Sequence, residues 1–358
     1  MIAVLGLLIV VHELGHFLAA RWQGIHVNRF SIGFGPALWT YQGPETEYAL
    51  RSVPLGGYVG FPDDDPDTDL DPRDPDLLKN RPILDRVIVI SAGVIANLIF
   101  AYALLVVQVG AVGVAEVEYQ SGVLVPQVAT EISSAAAQAG IKAGDIVLRV
   151  NDQPLGAGEA ARTSLMETIQ HSPNQPLEFH IQRAEQELDL IVTPRVTAEG
   201  KTLIGVQLLP NGKMIRRAPT HLGEIFTAAA TDFERIVRLM AQTFGQLIGN
   251  FRETASQVAG PVGIVAIGAD MARSDITSLF QFAAVISVNL AFINILPLPA
   301  LDGGQLAFLL IEGLRGKPLP HGLQEGVMQT GLVLILSLGM FLIVRDTANL
   351  AWVQQLFQ

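Results

Sequence analysis

The sequence predicts an α-helical membrane protein with about four transmembrane helices, a membrane-associated β-hairpin loop and one inserted α/β domain. Three observations lead to this fold class. Of the 358 residues 50% are apolar and only 16% are charged, whereas soluble globular proteins carry roughly 25% charged residues. The apolar residues are concentrated in long uncharged runs. A more polar segment, with alternating patterns typical of strands, separates these runs into two groups.

Four apolar segments are expected to cross the membrane. They cover residues 1 to about 20, 87–115, 276–301 and 326–344. A helix needs about 20 apolar residues to span the hydrocarbon layer, and the last three segments meet this length. The first segment has neither the basic start nor the small-residue cleavage site of a signal peptide, so we interpret it as a retained helix.

The overall composition excludes several classes of protein. The chain has 34 acidic and 23 basic residues and a formal net charge of −11, which argues against nucleic acid as a partner because phosphates attract cations. It contains no cysteine, so disulfides, thiolate metal sites and cysteine nucleophiles are excluded. The apolar content is too high for a disordered chain.

The distribution of apolar and polar segments divides the chain into four parts. A first membrane region covers 1–115, an α/β domain 118–198, a linker strand with an amphipathic helix 199–275, and a second membrane region 276–358. Short strand patterns and turn residues define the α/β domain. A strand predicted at Thr202–Leu209 either belongs to that domain or follows it. After it, apolar residues recur at the spacing of an amphipathic helix.

The loop between the first two membrane segments is predicted to contain a re-entrant β-hairpin. Residues 29–39 and 47–60 alternate loosely between apolar and polar side chains. Glycines interrupt both segments, including Gly56 and Gly57. These glycines are expected to interrupt the regular strands.

The first membrane segment carries His12, Glu13 and His16 in the pattern HExxH. Residues four apart on a helix lie about 40° apart around the axis and about 6 Å apart along it. Two imidazoles on one face can bind one Zn²⁺, with the glutamate placed to accept a proton from water. Without a metal, three polar side chains would need partners in an apolar medium, which is costly.

A catalytic zinc needs a third protein ligand and an open position. The five other histidines all lie outside the apolar segments: His26, His171, His180, His221 and His321. Asp302 is the better candidate because it ends the third apolar segment, just after Pro297 and Pro299 interrupt the helix. A carboxylate on interrupted backbone is tolerated at membrane depth where it lines a protein cavity.

These motifs together resemble the site-2 protease family of intramembrane zinc metalloproteases, and most closely its bacterial regulator-of-sigma-E branch. The resemblance rests on HELGH, on the Asn-x-x-Pro-x-Pro-x-Leu-Asp-Gly run from Asn294 to Gly303, and on Gly93-x-x-x-Asn97. It extends over nearly the whole chain. It implies that His12, His16 and Asp302 bind Zn²⁺ and that Glu13 is the catalytic base.

The resemblance also implies that Asn97 and Asn294 position the substrate or stabilise the oxyanion. The residues alone leave Asn97 open, because a polar residue beside Gly93 is equally expected where two helices pack closely. Gly56 and Gly57 are further candidates for substrate binding, since they lie in the β loop expected near the metal. An exposed strand edge there could hold a substrate in extended form.

The domain at 118–198 resembles a PDZ domain, most clearly at Ala135–Gly140 and around Gly144 and Asp145. PDZ folds usually bind a peptide as an added strand. The alternative is a filter that excludes large substrates and binds no peptide. Family members often carry two such domains in tandem, whereas the segment between the membrane regions here fits one.

The resemblance implies a lipid bilayer environment, specifically the bacterial inner (plasma) membrane, and transmembrane protein substrates, with a membrane-bound anti-sigma factor as one candidate. Counting Lys and Arg in the short loops weakly favours a cytoplasmic loop 21–86, which places the PDZ-like domain on the extracytoplasmic side. A membrane metal transporter is an alternative, but it would need polar residues along the whole crossing. A catalytically inactive PDZ scaffold that binds client helices is another, but it would have no use for Glu13.

Overall fold

The computed structural model describes residues 2–65, 70–128, 135–197, 200–249, 260–274 and 277–348. The helices are, in chain order, α1 Ile2–Trp22, α2 Ile83–Val112, α3 Ala135–Ala139, α4 Gly158–Gln170, α5 Leu222–Gly249, α6 Pro261–Ser274, α7 Ser278–Ile295, α8 Asp302–Arg315 and α9 His321–Ala348. The strands are β1 Arg29–Gln42, β2 Glu47–Gly60, β3 Val114–Val128, β4 Ile146–Val150, β5 Gln153–Pro154, β6 Leu177–Arg183, β7 Gln186–Val192, β8 Arg195–Val196, β9 Thr202–Leu203 and β10 Val206–Arg217. The chain forms two compact units, one built from residues 1–112 and 219–358 and the other from residues 113–218.

Four helices of the first unit, as far as the chain is described, are long and apolar enough to cross a membrane. They are α1, α2, α7 and α9, and they coincide with the four predicted segments. Residue 276 and residues 349–358 of the predicted membrane regions lie outside the described residues. Helix α7 ends at Ile295, earlier than the predicted segment, because proline cannot continue the helix at 297 and 299. The protein is therefore a multi-pass membrane protein.

Helix α2 lies at the centre of the first unit and packs against α1, α5, α7 and α8. Its buried residues recur every three or four positions, which aligns them along the helix. Helix α1 approaches α2 backbone to backbone at Gly15, where an added Cβ would lie 2.5 Å from the carbonyl oxygen of Ala92. Small residues permit this spacing between helices in a membrane.

Strands β1 and β2 form a small folded sheet, so the prediction of a plain hairpin was too simple. Next to the turn the strands pair as in an antiparallel hairpin, with Trp39 opposite Leu50 and residues 40–42 opposite residues 47–49. Both strands then bend, and positive φ angles at Gly33 and Gly56 make the bends possible. The hairpin pattern could not reveal the bends, because loose alternation continues through them.

The bends bring the two ends of β2 onto both sides of β1. Residues 29–32 pair with residues 47–50 in the parallel sense and with residues 57–60 in the antiparallel sense. Among the described strands, segment 57–60 has a partner on one side only, so it forms an edge of this sheet.

The second unit is an antiparallel sheet in the order β10-β3-β4-β6-β7, with β5 paired to β4. Helix α4 covers its buried face, where Leu165 lies against a core that includes Val123, Val147 and Phe179. The unit extends beyond the predicted range 118–198, because β10 pairs with β3 along nearly its whole length. The outer half of β3 is exposed on both faces, so alternation could not mark it.

Asp145 and Arg183 form a bidentate ion pair in this unit. The Nε and Nη2 atoms of Arg183 each lie 2.7 Å from a carboxylate oxygen of Asp145, whose side chain is 1% exposed. Burial raises the pKa of this carboxyl, but hydrogen bonds from Arg183 and from the backbone N–H of Lys142 outweigh burial and hold the pKa below its ordinary value. The resulting stabilisation is complete above about pH 4 and is lost as the pH falls through the lowered pKa.

We expect Arg183→Ala to destabilise the second unit by roughly 3 kcal/mol at neutral pH, because it leaves a buried carboxylate without its counter-charge. Amide hydrogen exchange in β4 and β6, measured on the full chain in detergent, reports this loss. Arg162→Ala is the control, since its ion pair with Glu159 is solvent-exposed and contributes little. Equal protection in the two variants would show that the ion pair does not stabilise the sheet.

Candidate metal centre

His12, His16 and Asp302 converge on one point although they come from opposite ends of the chain. Helix α1 presents both imidazoles, and Asp302 is the first residue of α8. The Nε2 atoms of the two histidines lie 3.2 Å apart. Oδ2 of Asp302 lies 3.2 Å from Nε2 of His12 and 3.5 Å from Nε2 of His16.

This triangle of ligand atoms fits a tetrahedral metal ion. Ligands at 2.0–2.1 Å from a tetrahedral centre lie about 3.4 Å apart, close to the three distances between these atoms. Nδ1 of His16 donates to the carbonyl oxygen of Val89 at 2.8 Å, so its Nε2 offers a lone pair. Oδ2 of Asp302 is buried without a hydrogen-bond partner, and such an atom is costly unless a cation compensates it.

Gly93 of α2 provides the space in which the imidazoles converge. A Cβ at this position would overlap Nε2 of His16 and would lie 2.7 Å from Cε1 of His12. The sequence had suggested that Gly93 allows two helices to pack closely. Its contacts instead show that the missing side chain leaves room for the two rings.

The loop before Asp302 is folded tightly against the start of α8. Ala300 has a φ of +68°, and an added Cβ at Gly303 or Gly304 would overlap the carbonyl groups of residues 295, 296 or 298. These glycines therefore permit a close approach of the backbone. From the other side, Gly331 of α9 packs directly against Pro299, which holds the loop that carries the carboxylate.

The two predicted asparagines both contact His12, but at different atoms. Nδ2 of Asn97 lies 3.2 Å from Nδ1 of His12. Nδ2 of Asn294, in the last turn of α7, lies 3.2 Å from Nε2 of the same ring. Asn294 is therefore on the side of the ligand atoms, whereas Asn97 is at the other ring nitrogen.

Glu13 lies beside the β1–β2 sheet and near the ligand triangle. It interacts electrostatically with His12, His16 and Asp302. A Cβ at Gly57 would lie 2.8 Å from Cγ of Glu13, so the edge segment 57–60 meets this side chain at its first residue. Gly56 is one residue away, and an added Cβ there would overlap the ring of Phe34.

The family of the chain follows from comparison with known proteins. The profile of Peptidase family M50 matches residues 1–338. The chain belongs to this family, the site-2 proteases. A protein of Nostoc sp. that is named as a zinc metalloprotease is 60% identical over 100% of this chain and 98% of its own length.

More distant M50 relatives match over a similar extent of this chain. The chloroplastic membrane metalloprotease ARASP of Arabidopsis thaliana is 48% identical over 99% of this chain and 79% of its own. The regulator of sigma-W protease RasP of Bacillus subtilis is 27% identical over 98% of this chain and 97% of its own. This M50 peptidase is a zinc metalloprotease, so the transporter and the inactive scaffold are set aside.

The comparison with solved structures concerns the PDZ prediction. PDZ domains of SdrC-like proteins from Listeria monocytogenes and Listeria innocua cover 25% and 24% of the chain, and 88% and 92% of their own chains are matched. Their identities are 15% and 16%, and their TM-scores 0.22 and 0.21. The PDZ identity of the second unit of this M50 peptidase stays a prediction.

A second group of potential ligands in the M50 peptidase is His26, Asp74 and Asp76, which the sequence had not suggested. Nε2 of His26 lies 3.7 Å from Oδ2 of Asp74. Asp76 is already paired with Arg81, at 2.9 Å, and all three side chains are partly exposed. A cation is not needed to compensate these charges, so we assign no metal to this group.

Proposed function

We propose that this zinc metalloprotease hydrolyses peptide bonds within or near the transmembrane helices of membrane-protein substrates. The observation that carries the proposal is the position of His12, Glu13 and His16 inside α1, whose residues 3–22 are long and apolar enough to cross a membrane. Ionisable residues within such helices are costly and are usually functional.

Segment 57–60 supports a way of holding the substrate. A peptide bond inside a helix has its carbonyl already hydrogen-bonded, so the substrate must unwind before water can attack. The segment pairs on one side only among the described strands, and its first residue, Gly57, lies beside Glu13. An unwound substrate that adds to this edge as a further strand would bring its backbone to the catalytic glutamate.

The residues have distinct roles in the proposed reaction. His12, His16 and Asp302 would hold the zinc ion, which supplies Lewis-acid chemistry and makes water a stronger nucleophile at neutral pH. Glu13 removes the proton from the attacking water and delivers it to the amine that leaves. Asn294, whose amide lies on the side of the ligand atoms, would contact the substrate carbonyl.

The proposed setting is the bacterial plasma membrane, with the PDZ-like unit on the extracytoplasmic side. Helix α2, a candidate span between loop 21–86 and the second unit, and the basic residues of that loop support this orientation. The Arabidopsis relative is named chloroplastic, so the family is not confined to one membrane. A single-span membrane protein, such as a membrane-bound anti-sigma factor, is the class of substrate that we propose.

The test is cleavage of a single-span model substrate by the full chain in liposomes. We expect cleavage inside or next to the span, loss of cleavage with a zinc chelator and its return when zinc is added. A matched substrate with an all-leucine span should be cut about tenfold more slowly, because leucine favours the helix over the extended form. Cleavage restricted to a soluble tail far from the span would contradict the proposal.

A further inference from the structure

The two asparagines at the metal centre contact different nitrogens of the same histidine, and this separates their roles. Nε2 of His12 faces Oδ2 of Asp302, Nε2 of His16 and the amide of Asn294. Nδ1 of His12 faces Asn97. A neutral imidazole that offers a lone pair through Nε2 carries its proton on Nδ1. Asn97 is therefore the partner available for that proton.

Asn97 is also inaccessible to a substrate. It is 0% exposed, and α7 packs over it, with Oγ of Ser287 donating to the backbone carbonyl of Asn97 at 2.8 Å. Asn294, by comparison, is only partly buried. A peptide carbonyl could reach Asn294, but it could not reach Asn97 without displacing α7.

The amide of Asn97 has an unused acceptor. Its nitrogen lies 3.2 Å from Nδ1 of His12, while its Oδ1 is buried without a hydrogen-bond partner. An amide can present either atom in the same place after a half-turn about its terminal bond, and the hydrogen-bond network determines which one faces the partner. When Nδ1 of His12 carries a proton, the oxygen must face it, since two donors cannot bond.

We infer that Asn97 is a positioning residue that accepts the Nδ1 proton of His12 and so orients the Nε2 lone pair toward the zinc site, and that it neither binds substrate nor stabilises the oxyanion. The inference rests on the proposed zinc ligands. Histidine ligands commonly donate their second nitrogen to a fixed acceptor, and loss of that acceptor weakens metal binding by about 10- to 100-fold.

The test compares zinc retention in three variants of the full chain in detergent. Asn97→Leu removes the acceptor and keeps the branching at Cγ, Asn97→Asp keeps an acceptor and removes the donor, and Asn294→Leu is the matched control on the other nitrogen. Each protein is equilibrated with a series of chelator concentrations, and bound zinc is measured by elemental analysis. Circular dichroism of the metal-free proteins checks the fold.

We expect Asn97→Leu to lose its zinc at a chelator concentration about 10- to 100-fold lower than the wild type requires. Asn97→Asp should lose zinc at the same chelator concentration as the wild type. Asn294→Leu should retain zinc and lose cleavage. Unchanged retention in Asn97→Leu would overturn the inference, and so would equal losses in Asn97→Leu and Asn97→Asp. If Asn97→Leu does not fold, Asn97→Ala, which also lacks the acceptor, takes its place in the same comparison with Asn97→Asp. Zinc is measured without substrate, so a failure to cleave membrane helices would count against the proposed function alone.

Discussion

Replacing Glu13 with glutamine is expected to lower the cleavage rate by about 10³-fold and to leave the zinc content unchanged. Glutamine has nearly the same shape but cannot take a proton from water, and a positioned base contributes about 10²- to 10⁴-fold. None of the ligand atoms in the triangle of His12, His16 and Asp302 belongs to Glu13, so the metal site should survive. Cleavage of the single-span substrate and elemental analysis of the same sample measure the two effects.

A matched control is Glu234→Gln, which removes an exposed carboxylate on α5 that is paired with Arg238. This variant should cleave at the wild-type rate. Full activity of Glu13→Gln would show that another group acts as the base. Loss of zinc from Glu13→Gln would instead show that Glu13 supports the assembly of the metal site.

Gly93→Ala is expected to weaken zinc binding by roughly 100-fold and to abolish cleavage at limiting zinc. The added methyl group would overlap Nε2 of His16 and would lie 2.7 Å from Cε1 of His12, so one or both rings must rotate away from Asp302. Forcing an extra methyl group into a packed site costs roughly 1–3 kcal/mol, which corresponds to a factor of about 5 to 150 in binding. Titration with a chelator measures this loss.

Gly110→Ala provides the control on the same helix. A Cβ at Gly110 would have its nearest neighbour, Cδ1 of Ile225, at 4.0 Å, so this variant should bind zinc like the wild type. Alanine also stabilises a helix by about 1 kcal/mol relative to glycine, and both variants share this gain. Wild-type zinc affinity in Gly93→Ala would mean that the rings do not need the space that this glycine leaves.

Patterns that are local in the chain predicted the parts of this protein that local physics controls. The long apolar runs became α1, α2, α7 and α9, since only a helix satisfies its own backbone in lipid. The spacing of His12 and His16 placed both rings on one face of α1, as any α-helix must. Asp302 was predicted indirectly, because a zinc site with two histidines still needs a third ligand and a carboxylate lay next to interrupted backbone, and the structure brings this carboxylate to both histidines.

Other features of the fold depend on which distant segments of the chain contact one another. The periodicity of apolar residues carries no information on these contacts. The bends that turn β1 and β2 into a folded sheet bring Gly57 next to Glu13, and alternation continues through the bends without marking them. Strand β10 joins the second unit through its pairing with β3. The outer half of β3 is solvated on both faces, so it shows no hydrophobic pattern.

By itself, the sequence determined that this is a multi-pass membrane protein with the residues of a zinc peptidase, because residue type, helical spacing and hydrophobicity are properties of short segments. Only the tertiary structure decided that Gly93 makes room for the imidazoles and that Asn97 and Asn294 contact different nitrogens of His12. These distinctions are differences of a few ångströms between α1, α2 and α7. They arise from the packing of helices that are far apart in the chain, and no local pattern encodes them.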